Sequence, residues 1–199
     1  MDDLPGDVKQ RLRARLRQAR RDHVAALPRE VSALVFNRPP AQVVDLVPAG
    51  AAIGLYCAHA GEAPAGRYAR FFLEAGHVIA LPRVARDDRT MRFHRHTDPY
   101  GESDLEDGPM GLRQPGAQAP PVTPGVLFMP VVGFTAAGGR LGQGGGFYDR
   151  WLAAHPGTLA IGMAWDVQEV TSLPLEPHDV PLTAIITPTR VLGPFPRAG

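Results

Sequence analysis

The sequence of 199 residues contains only one cysteine, Cys57. A single thiol excludes an internal disulfide and any zinc site built from several cysteines. No neighbour in the sequence would activate this thiol as a nucleophile. We therefore expect Cys57 to be a small, buried strand residue.

Long apolar runs and an excess of charge are also missing. No stretch approaches the roughly 20 apolar residues that span a bilayer, and the acidic start at residues 1–5 lacks the apolar core of a signal peptide. The net charge of +1 gives no electrostatic argument for binding nucleic acid or a membrane. We expect a cytoplasmic protein without either partner.

Glycine is instead concentrated in one place. Residues 138–146 contain six glycines, between an apolar run at 126–132 and a helix-compatible run at 148–154. A strand, a glycine loop and a helix start together present backbone N–H groups and a positive dipole end to an anion, most often a phosphate. Arg140 adds a positive charge, and Asp149 can hold a cation that a phosphate also contacts. The stretch indicates a nucleotide site.

This glycine loop fits neither common phosphate-binding pattern. It contains no Gly-Lys-Ser/Thr, and Phe147 stands where the dinucleotide fingerprint ends in glycine. A flexible hairpin or linker is the alternative interpretation. A linker, however, needs neither the flanking strand and helix nor the polar residues Arg140 and Asp149.

The remaining periodicity predicts an α/β protein. Residues 8–27 form an amphipathic helix with a basic stripe, Lys9, Arg13, Arg17 and Arg20, which is either a solvated face or a source of phosphate ligands. Strands at 51–57 and 77–82 flank a helix at 62–75 and predict a right-handed βαβ unit.

Further strands are predicted at 91–96, 126–132, 159–164 and 184–187, with a shorter helix at 30–36 and an irregular segment at 97–125. This alternation indicates a three-layer α/β/α fold with a mostly parallel sheet, as one domain over residues 1–199. The site is expected in loops at the carboxyl ends of the strands. Asp149 and Asp179 are either a dipole-stabilising residue and a turn residue, or together with phosphate oxygens a Mg²⁺ site.

The run at 139–150 closely resembles the signature of the 5-formyltetrahydrofolate cyclo-ligase family, also called methenyltetrahydrofolate synthetases. The similarity extends over nearly the whole chain, and further matching positions follow in the family's order. These are Lys9 and Arg13, Leu81-Pro82 with Met91, Gln114-Pro115, Met129-Pro130, Gly133-Phe134, and Leu173-Pro174 through His178-Asp179.

The resemblance implies an ATP- and Mg²⁺-dependent ligase that cyclises 5-formyltetrahydrofolate to 5,10-methenyltetrahydrofolate and releases ADP and phosphate. It implies a monomer whose fold resembles sugar-phosphate isomerases and CoA-transferases. The implied ATP-binding residues are Lys9, Arg13, Arg140, Leu141, Gly142, Gln143, Gly144, Gly145, Gly146, Phe147 and Tyr148, with Arg140 catalytic. Asp149 and Asp179 would bind Mg²⁺, and Glu62, Met91 and Phe147 would contact the folate.

Several positions depart from the family's pattern. Thr135 and Thr183 stand where members often carry Asp, and Gln114 stands where many carry Glu. Phe147 replaces the usual Tyr, and the residues after Glu62 are less polar than is typical. A paralogue with shifted substrate specificity, a phosphosugar isomerase, and a non-catalytic nucleotide- or folate-binding module are the alternatives to the cyclo-ligase.

Overall fold

The computed structural model describes residues 5–85, 90–176 and 179–196. Its helices are α1 (Pro5–Ala26), α2 (Arg29–Leu34), α3 (Ala41–Val44), α4 (Gly66–Glu74) and α5 (Phe147–Ala154). Its strands are β1 (Ile53–Gly54), β2 (Ile79–Val84), β3 (Met91–His96), β4 (Leu105–Asp107), β5 (Arg113–Pro115), β6 (Val126–Pro130), β7 (Gly133–Phe134), β8 (Arg140–Leu141), β9 (Leu159–Met163), β10 (Ala184–Ile186) and β11 (Val191–Leu192). Short 3₁₀ turns lie at Pro109–Gly111 and Asp166–Gln168.

Seven strands form the main sheet in the order β11-β10-β9-β6-β1-β2-β3. The five inner strands are parallel, and β11 and β3 pair antiparallel at the two edges. Ile53 of β1 lies opposite Ile79 on one side and Val126 on the other. The mostly parallel sheet and the βαβ unit of β1, α4 and β2 are thus confirmed.

Helices cover both faces of this sheet. The first four residues of β6 are apolar and buried, as expected for a central strand with two covered faces. Phe128 belongs to the core that contains Phe72 of α4. Met129 belongs to the core that contains Trp151 and Leu152 of α5. The predicted three-layer arrangement is confirmed.

Two predicted element boundaries are wrong in a way that affects the site. Strand 51–57 is reduced to β1, although the N–H of Leu55 still donates to the carbonyl of Ala80 at 2.9 Å. Helix 62–75 begins only at Gly66, because Pro64 disfavours a helical conformation at the residue before it. Glu62 therefore lies in the turn that enters α4.

The sequence predicts that the glycine loop follows the strand β6 directly, and this prediction is wrong. A hairpin of β7 and β8 intervenes, so the loop leaves from β8. Thr135 and Gly139 close this hairpin through two hydrogen bonds, of 2.9 and 3.1 Å. Gly138 adopts a φ of +86°, which favours glycine. The predicted irregular segment at 97–125 likewise contains a hairpin, of β4 and β5.

Among the described residues, no helix is both long enough and apolar enough to cross a membrane.

Candidate active site

A cavity of about 620 Å³ lies where β2 and β6 end and where the chain leaves β1. Its walls include every residue that the sequence assigned to a site. These fifteen residues are Lys9, Arg13, Glu62, Met91, Arg140, Leu141, Gly142, Gln143, Gly144, Gly145, Gly146, Phe147, Tyr148, Asp149 and Asp179. The structure brings them together, and the roles assigned to them stay predictions. His178 lies outside the described residues.

The glycine loop forms a cradle of backbone in the wall of the cavity. Gly144 and Gly146 have φ angles of +101° and +64°, conformations that a side chain disfavours. α5 begins at Phe147, and no side chain in the described structure caps its first turn. The first N–H groups of a helix have no acceptor within the helix. They are therefore available to an anion.

The basic stripe of α1 faces this loop. Arg13 Nε donates to the carbonyl oxygen of Gly142 at 2.9 Å. Arg17 Nη2 donates to the carbonyl oxygen of Gln143 at 3.0 Å. Lys9 and Arg20 are buried, with 8% and 6% of their surfaces exposed. The interpretation of the stripe as a solvated face is wrong. Of the glycine stretch, residues 138–141 belong to the hairpin of β7 and β8, and residues 142–146 connect that hairpin to α5.

Lys9 is held between two carboxylates. Its Nζ donates to Asp179 at 3.1 Å and to Glu176 at 2.5 Å. Burial by itself lowers the pKa of Lys9, but the hydrogen bonds and charges of Glu176 and Asp179 outweigh it, so that the pKa rises above its ordinary value. Lys9 is therefore positively charged at neutral pH.

Arg140 is held by two different groups. Its Nη2 donates to Oδ1 of Asp149, and its Nε donates to the carbonyl oxygen of Val180 at 3.1 Å. The Arg140 side chain is only 4% exposed, whereas Asp149 is 21% exposed. The contacts connect the start of α5 with the segment that carries Asp179. Asp149 and Asp179 thus line one cavity, each beside a cation of the protein.

Glu62 contributes a buried carboxylate to the cavity wall, and its side chain is 3% exposed. Its Oε2 accepts from the N–H of His59 at 3.0 Å, and its Oε1 accepts from Nε2 of Gln143 at 2.8 Å. Arg20 Nη1 lies 3.7 Å from Oε1. Burial lowers the pKa of Arg20, an effect that the charge of Glu62 opposes.

Cys57 and Tyr148 also line the cavity. Burial raises the pKa of the Cys57 thiol to about 11, and burial also raises the pKa of Tyr148. Both groups are protonated at neutral pH, so Cys57 lacks the thiolate of a nucleophile. Cys57 follows β1 and is half-buried, which corrects its predicted placement in a strand.

The three polar positions that depart from the family's pattern do not line the cavity. Thr135 Oγ1 accepts from the N–H of Gly139 at 3.1 Å, and Thr183 Oγ1 accepts from the N–H of Ala160 at 3.1 Å. Gln114 Oε1 accepts from the N–H of Val84 at 3.1 Å. Each side chain satisfies a backbone N–H group of the scaffold.

Sequence reasoning missed several residues of the cavity wall. Tyr56 and His59 follow β1, where the rule that sites lie at the carboxyl ends of parallel strands points to them. Arg20 belongs to the basic stripe and shares its face. Arg113 lies on β5, in a segment whose weak periodicity gave no signal.

Comparison with known proteins now identifies the family. A sequence model of the 5-formyltetrahydrofolate cyclo-ligase family matches residues 5–188. The chain belongs to this family. The cyclo-ligase of Escherichia coli K12 is 50% identical over 68 residues, which are 33% of this chain and 37% of that protein. The cyclo-ligase of Mycolicibacterium smegmatis is 32% identical over 126 residues, which are 59% of this chain and 63% of that protein.

Each of these alignments thus spans less than two thirds of the curated cyclo-ligase. Solved structures match over greater lengths. The 5,10-methenyltetrahydrofolate synthetase of Mycoplasma pneumoniae has a TM-score of 0.65 at 23% identity, over 89% of this chain and 97% of that one. The synthetase of Aquifex aeolicus has a TM-score of 0.63 at 20% identity, over 99% and 96%. These structures share the fold of this cyclo-ligase family member.

Proposed function

We propose that the chain catalyses the ATP-dependent cyclisation of 5-formyltetrahydrofolate to 5,10-methenyltetrahydrofolate, with release of ADP and phosphate. One observation carries the proposal. A single cavity holds both a basic glycine cradle and a buried carboxylate, on a chain of the cyclo-ligase family. The cradle suits the phosphates of a nucleotide, and the carboxylate suits the N–H donors of a pterin.

We assign the ATP subsite to the glycine loop and the cations around it. The backbone N–H groups of residues 142–146 and of the first turn of α5 would bind phosphate oxygens, with Lys9, Arg13 and Arg140 neutralising their charge. Leu141, Phe147 and Tyr148 would line the same subsite. Arg13 and Arg140 are already held in place by protein acceptors, so binding would require little reordering of these side chains.

We assign a magnesium ion to Asp149 and Asp179. Mg²⁺ prefers oxygen ligands and commonly binds through one or two carboxylates plus substrate phosphates. Both carboxylates line the cavity, and no cluster of three or more metal-ligating side chains exists among the described residues. Phosphate and water oxygens would therefore complete the shell. The bound ion would neutralise charge on the phosphates.

We assign the folate subsite to Glu62, Met91 and Phe147. Glu62 would accept hydrogen bonds from the pterin, while Met91 and Phe147 pack against its ring system. Phe147 follows the glycine loop and opens α5, and we assign it to both subsites. Because one chain supplies all of these groups, the scheme requires no partner subunit, and we propose a cytoplasmic monomer.

The chemistry asks the protein for positioning and charge neutralisation. A formamide oxygen is a poor leaving group. When it attacks the γ-phosphorus, ADP leaves and an iminium-like phosphate ester forms. N10 then adds to the former formyl carbon, loses its proton, and expels phosphate to give the methenyl product. Arg140 would stabilise the charge on the transferring phosphoryl group. The scheme requires no covalent nucleophile, in agreement with the protonated Cys57.

The direct test is an absorbance assay for the methenyl product from 5-formyltetrahydrofolate with ATP and Mg²⁺. We expect product only when both substrates and the metal are present. No turnover under these conditions would overturn the proposal. Turnover of a sugar phosphate without ATP would favour an isomerase. Binding of ATP or folate without hydrolysis in any mixture would favour a non-catalytic module.

A further inference from the structure

The side chain of Gln143 connects the two proposed subsites. Its backbone belongs to the glycine loop that is assigned to ATP. Its Nε2 donates to Oε1 of Glu62, the carboxylate assigned to the folate, at 2.8 Å. The two residues are 81 positions apart in the sequence. This hydrogen bond is a direct physical connection between the proposed subsites.

Arg17 fixes the orientation of the Gln143 amide. Its Nε and Nη2 donate to Oε1 of Gln143 at 3.1 and 2.6 Å, and Nη2 also donates to the backbone oxygen of Gln143 at 3.0 Å. Because Oε1 faces this guanidinium, the amide nitrogen faces Glu62. The side chain and the backbone of Gln143 are thereby tied to the same cation.

Glu62 has little freedom at the other side of this contact. Its side chain is 3% exposed, and His59 and Gln143 each hold one of its oxygens. Arg20 balances its charge from 3.7 Å. The Nε of Arg20 is a buried atom for which the described structure shows no hydrogen-bond partner. A ligand that engages Glu62 therefore acts on a carboxylate that Gln143 helps to hold.

We propose that Gln143 is a positioning residue that couples occupancy of the folate subsite to occupancy of the ATP subsite. The inference rests on the proposed function. Phosphates bound to the loop backbone would favour the arrangement in which the Gln143 amide donates to Glu62, and so keep Glu62 in place for the pterin. A pterin bound to Glu62 would in turn favour the same arrangement of Gln143 and of the loop that binds ATP. Each ligand thus stabilises the arrangement that the other requires.

Calorimetry measures this coupling without turnover. The dissociation constant of a non-hydrolysable ATP analogue is determined with and without saturating 5-formyltetrahydrofolate, and the reverse titration follows. In the wild type we expect each ligand to lower the dissociation constant of the other by the same factor, about tenfold, which is within the usual range for coupled sites. In Gln143→Ala the factor should fall to about one.

Two further variants separate coupling from a loss of structure. Arg17→Ala releases the Gln143 amide without altering the loop sequence, and we expect the coupling factor to fall below that of the wild type. Arg15→Ala removes an exposed arginine from another face of α1 and should retain the wild-type factor. Steady-state kinetics supply a second readout, because in Gln143→Ala saturation with one substrate should no longer lower the KM for the other.

The outcomes distinguish this inference from the function on which it rests. If both ligands bind and Gln143→Ala keeps the wild-type factor, or if the wild type shows no coupling, the inference is overturned and the proposed function stands. If neither ligand binds to the folded wild type, both are overturned.

Discussion

Two nitrogens of Arg140 donate hydrogen bonds to two separate acceptors, and this predicts how substitutions of Arg140 affect activity. Arg140→Lys keeps the positive charge, but its single ammonium group lacks the planar set of nitrogens that donates to both Asp149 and the carbonyl of Val180. We expect Arg140→Lys to lower kcat/KM at least about tenfold. Arg140→Ala should lower it by about 10²–10³, the loss typical of a removed transition-state donor. The absorbance assay measures both.

The matched control is Arg15→Ala, since Arg15 is exposed and lies outside the cavity wall. Its kcat/KM should equal that of the wild type. Full activity in Arg140→Lys would contradict the assignment of Arg140 as a group held in a fixed orientation.

Cys57 permits a test of how burial in the cavity wall changes the pKa of a thiol. A pKa of about 11, against an ordinary 9.0, reduces the thiolate fraction at pH 8 by about 100-fold, while each thiolate is about tenfold more nucleophilic. Alkylation of the folded protein at pH 8 should therefore be at least about tenfold slower than that of the urea-unfolded chain. The rate should keep rising with pH until about pH 11. A plateau below pH 9 would show that burial does not raise the pKa.

The residues of the site could largely be predicted from the sequence, whereas their contacts could not. The signature at 139–150 and the positions that match the family pointed to fifteen residues of one cavity. The hydrogen bond from Arg13 to Gly142 spans 129 positions, and the one from Gln143 to Glu62 spans 81. Such contacts depend on how α1 and the turn before α4 pack, which no local pattern encodes.

The backbone conformation of Gly144 predicts how the glycine loop responds to a substitution. Gly144 has a φ of +101°, and a Cβ there would lie 3.4 Å from the guanidinium carbon of Arg13. Gly144→Ala should therefore strain the loop by about 1–3 kcal/mol and weaken ATP binding. Equilibrium titration with the ATP analogue measures the effect.

Gly157 supplies the control for that substitution. It has no positive φ, and nothing lies within 4 Å of a Cβ built there. Gly157→Ala should bind the analogue as the wild type does. Equal affinity of Gly144→Ala and the wild type would show that the loop does not need the left-handed conformation.

Helix α1 carries Lys9 and Arg13, so its docking should control nucleotide affinity. Leu16 is 3% exposed and packs with Val132 and Leu141. Leu16→Ala should lower the free energy of unfolding by about 2–5 kcal/mol in urea titrations. It should also weaken binding of the ATP analogue, because the helix is less firmly held.

Val8→Ala is the comparison for α1, since Val8 is 37% exposed on the same helix. It should change stability by less than about 0.5 kcal/mol, as exposed substitutions usually do. A stable Leu16→Ala protein with unchanged affinity would contradict the role of α1 in the site.

At the scale of elements, periodicity predicted the sheet and its βαβ unit but not the insertions. Residues 133–141 contain only two short paired segments around a glycine turn, too short for a pattern of alternation. The resulting β7–β8 hairpin separates the glycine loop from β6. In the same way, Pro64 shortened α4 and left Glu62 in a turn, where its carboxylate reaches Gln143.

At the scale of the whole molecule, the three layers position the two proposed subsites relative to each other. The parallel strands end at one edge of the sheet, where the residues after β1 and the glycine loop after the β7–β8 hairpin line the cavity. α1 closes the cavity from the side of its basic stripe. This arrangement brings the glycine loop and the carboxylate of Glu62 into one cavity, as the proposed transfer of a phosphoryl group from ATP to a bound formyl group requires.

The stoichiometry of the reaction tests this account most directly. ADP and the methenyl product are quantified from the same reaction with ATP, Mg²⁺ and 5-formyltetrahydrofolate. We predict equal amounts of the two, with no ADP formed in the absence of the folate and no product in the absence of ATP. Methenyl product formed without ATP, or ADP release that does not depend on the folate, would contradict the account.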